Sequence, residues 1–170
     1  MRRNTVPRGH LYLEEYPRLI RQIRRLVELA RAGDPNVALL ALFGSTARLT
    51  PHPYSDADLL VLVHDMRSFY PHTTGSQIAP ILHLVREAED AAEEGNICRW
   101  PFSIVSGDAQ GSDIDEEFLE NVAAHGVLLY QQEGAAIPPV LKTLRPLAVW
   151  LEQVQSLLEK QARAASAPAS

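Results

Sequence analysis

The sequence contains a single cysteine, Cys98, so no disulfide bond can form within the chain. Such sparing use of cysteine is typical of proteins in a reducing compartment. No apolar run approaches the ~20 residues needed to span a bilayer, and none follows the first residues, Met1 to Thr5. The sequence therefore predicts neither a membrane span nor a signal peptide, and we expect a cytoplasmic protein.

Recognisable zinc and dinucleotide motifs are also lacking. The six histidines are scattered, without His-x-x-x-His or cysteine–histidine spacing, which argues against a zinc site. The stretch from Gly107 to Gly111 does not match the context of a dinucleotide fingerprint or a P-loop. Chemistry in this chain must therefore be sought among its carboxylates, hydroxyls and backbone groups.

The chain has 170 residues, 46% of them hydrophobic, which suits one compact domain with a real core. We expect a single domain over residues 1–163, followed by a disordered tail over 164–170.

The net charge is −5, yet residues 1–31 hold eight arginines against three glutamates. This basic segment can steer an acidic partner or form an ordinary solvated helix face. The overall acidity makes a general nucleic-acid binder an unfavoured interpretation.

Hydrophobic periodicity predicts alternating helices and strands. Helices are expected at 11–32, at 76–94, from a cap at Ser112 or Asp113 to about 125, and at 139–163, where Pro146 should kink or split the last one. Strands are expected at 37–43, 58–64, 102–105 and 127–130. We therefore predict an α/β (α+β) domain with a small mixed sheet of about four strands flanked by helices.

The first candidate site lies where the strand 37–43 ends in Gly44-Ser45. Glycine permits unusual dihedral angles and close approach of the backbone to a ligand. Backbone N–H groups at the start of a helical turn, together with a serine hydroxyl, can bind a phosphate chain. A Gly-Ser turn is common, so this motif alone is weak evidence of function.

The second candidate site is the carboxylate pair of Ser55-Asp56-Ala57-Asp58, which precedes an apolar strand. Alternate residues of a strand point to the same face, so Asp56 and Asp58 would project together, ~7 Å apart. Two carboxylates on one face repel each other unless a cation lies between them. Mg²⁺ prefers such oxygen ligands and commonly keeps waters and substrate phosphates as well. Asp-x-Asp by itself is equally compatible with a polar strand start.

In this order and spacing, the two motifs resemble the nucleotidyltransferase superfamily related to DNA polymerase beta. More narrowly, they resemble the minimal nucleotidyltransferases, small bacterial and archaeal proteins often paired with a helical HEPN partner. The resemblance covers roughly residues 37–131. It implies the polymerase-beta-like nucleotidyltransferase fold, with Gly44 and Ser45 holding nucleotide phosphates and Asp56 and Asp58 binding Mg²⁺ or Mn²⁺. Arg48, one turn beyond Ser45, would reach phosphate oxygens or simply lie at the surface.

The reaction implied by the resemblance moves a nucleoside monophosphate from ATP or another nucleoside triphosphate to an acceptor hydroxyl. Active members carry a third carboxylate on the next strand, and Ser103 stands at the matching position here. Serine is a poor Mg²⁺ ligand and no general base at neutral pH. Asp108 is the nearest acid downstream, and we expect it beyond the strand end and facing away.

Three functions follow as hypotheses. The chain is an active transferase, acting as the antitoxin that adenylylates a HEPN partner, or it is an impaired module that binds nucleotide or a partner. A transferase acting on small drugs is a third reading, disfavoured because little chain is left to bind such an acceptor. For partner contact, the candidates are the basic first helix and an apolar stripe on the last helix, comprising Leu147, Leu151, Val154 and Leu158. The stripe is equally explained by packing on the sheet.

Overall fold

The computed structural model describes residues 15–33, 35–50, 57–66 and 102–166. The described chain begins with helix α1 (Tyr16–Gly33), followed by strand β1 (Val37–Phe43), the single turn α2 (Gly44–Ala47) and strand β2 (Ala57–Val63). It resumes with β3 (Phe102–Asp108), α3 (Glu116–His125), β4 (Val127–Gln131), a 3₁₀ helix (Pro139–Thr143), β5 (Arg145–Pro146) and α4 (Leu147–Ser166). The predicted helix over 76–94, Asp56 and Cys98 lie outside the described residues.

The described strands form one mixed sheet in the order β3-β2-β1-β4-β5. β1 is antiparallel to both of its neighbours, β2 and β4, while β3 runs parallel to β2 and β5 runs parallel to β4. The prediction of a small mixed sheet flanked by helices is confirmed. The extra strand, β5, has only two residues and was not predicted, because so short a pairing leaves no periodic pattern.

The central strands β1 and β2 are buried on both faces, as their continuous apolar runs require. On one face, α1 and α4 pack over a cluster that includes Leu40, Leu42, Leu59 and Val61. On the other face, α3 and the 3₁₀ helix cover Leu39, Ala41, Leu60 and Leu62. Successive residues of β2 thus alternate between the two layers, which fixes the face on which each polar side chain of that strand lies.

The apolar stripe of the last helix packs inward. Trp150 and Val154 are buried in the first cluster, and Leu147, Leu151 and Leu158 pack against it while partly exposed. The stripe is therefore explained by packing on the sheet, which leaves the basic face of α1 as the other predicted contact surface. On that helix Arg21, Arg24, Arg25 and Arg31 are exposed.

Several element boundaries differ from the predicted ones. α3 is capped by Asp115 rather than by Ser112 or Asp113, since the Asp115 side chain accepts a hydrogen bond from the Glu117 N–H at 2.9 Å and the helix begins at Glu116. Pro146 does split the last helical region, since it ends β5 and α4 starts at the next residue. α4 then continues to Ser166, three residues into the segment for which the sequence predicts a disordered tail. Residues 167–170 lie outside the described residues.

Candidate active site

The Gly44-Ser45 motif forms a single helical turn immediately after the central strand β1. Gly44 has a φ of +76°, a left-handed conformation that L side chains rarely adopt. The turn is closed by backbone hydrogen bonds from Arg48 N–H to Gly44 O (3.1 Å) and from Thr50 N–H to Ser45 O (3.0 Å). Glycine is thus required here by the path of the chain as it leaves the sheet.

Asp58 lies directly beside this turn. In the antiparallel register Phe43 pairs with Asp58, so the residue that follows Phe43 comes against the aspartate. A Cβ built on Gly44 would lie 3.1 Å from Cγ of Asp58 and closer still to its Oδ2. The half-buried carboxylate therefore occupies the space that a side chain at position 44 would need. The two motifs, 14 residues apart in sequence, meet as one surface at the end of the sheet.

Ser103 occupies the position next to Asp58 on the neighbouring parallel strand. The register pairs Asp58 of β2 with Ser103 of β3. Paired residues of parallel strands share a face, and the alternation along β2 places Asp58 on the side of α3. Ser103 is exposed. A side chain at position 103 thus shares the face and the strand end of the Asp58 carboxylate.

Asp108 lies at the other end of β3 and on the other face. It pairs with Val63, five residues beyond Ser103, a rise of roughly 16 Å along a strand. The strand does continue to this residue, further than predicted. The carboxylate accepts hydrogen bonds from the Ser112 hydroxyl and from the N–H groups of Ser112 (3.2 Å) and Gln110 (2.9 Å). Asp108 therefore organises the turn before α3 and does not join Asp58.

The hydrogen bonds of this turn lower the pKa of Asp108 below its ordinary value of 3.8, with the Ser112 hydroxyl as the largest cause. Asp113 takes part by accepting a bond from the Asp108 N–H at 2.9 Å. Ser112 and Asp113 are thus engaged with Asp108, which explains why neither serves as the predicted cap of α3.

Comparison with known proteins decides the family. A family model described as a nucleotidyltransferase domain matches residues 20–152 of this chain. The chain belongs to the nucleotidyltransferase domain family. The match contains Gly44, Ser45, Asp58 and Ser103, so all four lie within this nucleotidyltransferase domain. A search of curated proteins found no match.

Solved structures give weaker likenesses to this nucleotidyltransferase. A chain from a toxin–antitoxin structure with AMP-PNP is 19% identical, with a TM-score of 0.43 over 84% of this chain and 94% of that chain. A chain from a Shewanella oneidensis complex of tri-AMPylated HEPN toxin with MNT antitoxin is 14% identical, with a TM-score of 0.39 over 86% and 94%. With TM-scores below 0.5, these likenesses add no weight to the assignment, which depends on the family match.

Sequence reasoning missed two side-chain contacts to the Gly44–Ala47 turn. Tyr16 donates its hydroxyl hydrogen bond to Thr46 O at 2.7 Å, and Trp150 donates from Nε1 to Ala47 O at 3.0 Å. Both side chains are fully buried. Both residues lie within helices predicted at 11–32 and 139–163, but a helical pattern gives no sign of a partner 30 or 103 residues away.

Arg48 follows the turn and faces α4 rather than the interior. Its exposed side chain lines an open cleft of about 610 Å³ together with Leu49, Arg145, Glu152 and other residues of α4. Arg145 is already engaged, donating to His125 O at 3.1 Å and to Gln153 Oε1 at 2.5 Å. The structure thus places Arg48 next to the Gly44–Ala47 turn, at the border between the candidate site and this cleft.

One of the two predicted magnesium ligands, Asp58, is among the described residues. A carboxylate is a ligand that Mg²⁺ prefers, and the absence of a Cβ at Gly44 makes room for the Asp58 carboxylate beside the turn. Within the described ranges no three His, Cys, Asp or Glu side chains come together as a metal site. Asp56, the second predicted ligand, lies outside those ranges.

The described part of the chain has no helix with the length and apolar character that a membrane crossing requires.

Proposed function

We propose that this chain is a nucleotidyltransferase that transfers a nucleoside monophosphate from a nucleoside triphosphate to a hydroxyl group of a protein or small molecule. The preferred nucleotide is AMP. The observation that carries the proposal is the packing of Asp58 against Gly44, because it joins the predicted metal ligand to the predicted phosphate-binding turn. The family match supports the reaction class. The order of the two motifs supports the minimal type of nucleotidyltransferase.

In this proposal Gly44 and Ser45 bind the phosphate chain, and Arg48 contacts it from the rim. Asp56 and Asp58 would hold Mg²⁺, or Mn²⁺, whose charge supplies neutralisation of the phosphates and of the leaving pyrophosphate. The acceptor oxygen forms a bond to the α-phosphorus while the bond between that phosphorus and the bridging oxygen of the β-phosphate breaks. Pyrophosphate leaves, and the acceptor proton passes to solvent, because Ser103 is no base at neutral pH.

The acceptor we propose is a helical HEPN-type protein, for which this chain would act as antitoxin. The exposed arginines of α1 offer a positively charged surface to such a partner. A nucleotide-dependent modification of the partner requires only that one of its hydroxyls reach the turn at Gly44.

A second candidate function is favoured by Ser103. With serine beside Asp58, the site has one carboxylate fewer than active members carry, and a missing general base costs about 10²–10⁴-fold in rate. The chain would then bind nucleotide or a partner and regulate without turnover. The register of β2 and β3 supports this alternative, because it brings Ser103 next to Asp58.

The deciding experiment follows transfer of label from α-labelled ATP, with Mg²⁺ or Mn²⁺, into a lysate of the source cells and into a purified HEPN-type partner. The Asp56→Asn/Asp58→Asn double variant should lose both transfer and Mg²⁺-dependent ATP binding while staying folded. Asp108→Asn is the matched control, since it makes the same substitution at the other end of the sheet. ATP binding that persists in the double variant would refute the site assignment. Binding without transfer in the wild type would establish the regulatory alternative.

A further inference from the structure

The backbone carbonyls of Thr46 and Ala47 point away from the candidate site, toward two buried aromatic side chains. Tyr16 of α1 donates to Thr46 O at 2.7 Å, and Trp150 of α4 donates to Ala47 O at 3.0 Å. The two rings contact each other, with centroids 5.8 Å apart. Two helices from opposite ends of the described chain thus donate to consecutive carbonyls of the same turn.

These two bonds give donors to carbonyls that a one-turn helix cannot satisfy by itself. The last four carbonyls of a helix have no partner within it, and α2 consists of only four residues. Gly44 O and Ser45 O receive backbone N–H groups from Arg48 and Thr50, and Thr46 O receives that of Leu49 at 3.3 Å. The Tyr16 hydroxyl is thus a second donor to Thr46 O, while the Trp150 Nε1–H is the donor to Ala47 O. Thr46 and Ala47 are fully buried, so water does not replace the aromatic donors at their carbonyls.

The turn also carries backbone strain that has to be held in place. Gly44 at its start has φ +76°, and Leu49 just beyond its end has φ +61°, which is uncommon for a side chain of this size. Such conformations persist where the surroundings over-determine them. Tyr16 and Trp150 reach the stretch between these two residues, and the rigid sheet strand β1 precedes it.

We propose that Tyr16 and Trp150 are positioning residues of the nucleotide site, which fix the Gly44–Ala47 turn in the orientation that presents Gly44 and Ser45 beside Asp58. The inference depends on the proposed function, since the turn is taken to bind the nucleotide phosphates. Both aromatic residues act from behind the turn, through its carbonyls, and neither touches the nucleotide. Burial raises the pKa of Tyr16, so its hydroxyl remains a donor throughout the neutral range.

Tyr16→Phe is the sharpest test, because it removes one hydroxyl and leaves the ring that packs on Trp150. Tyr130→Phe is its matched control. Tyr130 packs against the same core cluster, and the described residues provide no hydrogen bond to its hydroxyl. Trp150→Phe removes the second donor and serves in place of Tyr16→Phe if that variant does not fold.

Three quantities separate positioning from simple packing: the thermal midpoint of unfolding, the Kd of Mg²⁺–ATP per folded molecule, and amide hydrogen exchange over residues 44–50. We expect Tyr16→Phe to weaken Mg²⁺–ATP binding about tenfold and to speed exchange over 44–50, relative to 37–43. Where transfer is measurable, KM should rise with little change in kcat. Tyr130→Phe should leave all of these at wild-type values.

A Tyr16→Phe protein that is less stable but binds nucleotide and exchanges amides like the wild type would overturn the inference. If the wild-type protein itself binds no Mg²⁺–ATP, the proposed function fails and with it the nucleotide part of the inference. Hydrogen exchange still decides the structural part in that case. Unchanged exchange over 44–50 in both Tyr16→Phe and Trp150→Phe would overturn that part as well.

Discussion

The carboxylate of Asp58 occupies the place where a side chain on Gly44 would stand. The hypothetical Cβ lies 3.1 Å from Cγ of the aspartate, tighter than ordinary packing allows. Position 44 therefore has two separate reasons to be glycine, its left-handed backbone and its neighbour. The two reasons can be separated by experiment, because Gly134 has the same φ of +76° and no atom within 4 Å of its own hypothetical Cβ.

Gly44→Ala should destabilise the protein and abolish Mg²⁺-dependent nucleotide binding. A left-handed alanine costs about 1–2 kcal/mol, and the overlap with Asp58 adds about 1–3 kcal/mol. Gly134→Ala should show only the first cost and keep nucleotide binding. Chemical denaturation gives the free energies of unfolding, and titration with Mg²⁺–ATP gives the affinities. Equal destabilisation in the two variants would mean that the Asp58 carboxylate does not clash with a side chain at position 44.

Ser103→Asp should raise transfer by about 10²–10⁴-fold, because it restores a carboxylate next to Asp58. Without metal, the new like charge beside Asp58 should lower the melting temperature, and added Mg²⁺ should recover it. Transfer from α-labelled ATP and thermal melts with and without Mg²⁺ measure the two effects.

Ser106→Asp is the control for that gain, since Ser106 pairs with Val61 three residues further along β3 and lies on the other face. It should raise neither transfer nor the response of stability to Mg²⁺. A folded Ser103→Asp protein with no increase in transfer would show that position 103 is not the site of the missing acid.

Asp108→Asn should lower the free energy of unfolding at neutral pH but not in acid. It should leave transfer unchanged. The folded-state pKa of Asp108 lies below its ordinary value of 3.8, so its stabilisation is present above that value and is lost as pH falls through the folded pKa. At pH 7 the loss should stay under about 1 kcal/mol, since the side chain is partly exposed. Glu120→Gln, on the exposed face of α3, is the control. A transfer defect in Asp108→Asn would contradict its placement away from the site.

Much of the fold follows from local patterns. The unbroken run from Val37 to Phe43 indicates a strand covered on both faces, and burial of Leu39 to Leu42 confirms it. The apolar run after Asp58 places the next strand within one residue of its observed bounds. Together these two strands bring the Gly44 and Asp58 motifs to one end of the sheet. The role of Asp56 stays a prediction.

What sequence reasoning missed depends on contacts between distant residues. The partners of Tyr16 and Trp150 are backbone carbonyls, which have no residue-specific signal, and periodicity reveals only that the two rings are buried. The start of α3 was wrong for a related reason. Ser112, Asp113 and Asp115 are all good caps by residue type, and only the bonds to Asp108 show that the first two are occupied.

The hydrogen bond from Trp150 to Ala47 spans 103 residues, and this separation dictates when the site can mature during synthesis. The ribosome adds Ala47 to the chain 103 residues before Trp150, the donor to its carbonyl. Contacts between residues so far apart in the chain form slowly and late in folding. A nascent chain therefore contains both sequence motifs before the last hydrogen bond to the turn can form. A chain shortened before residue 150 would lack the donor to Ala47 O.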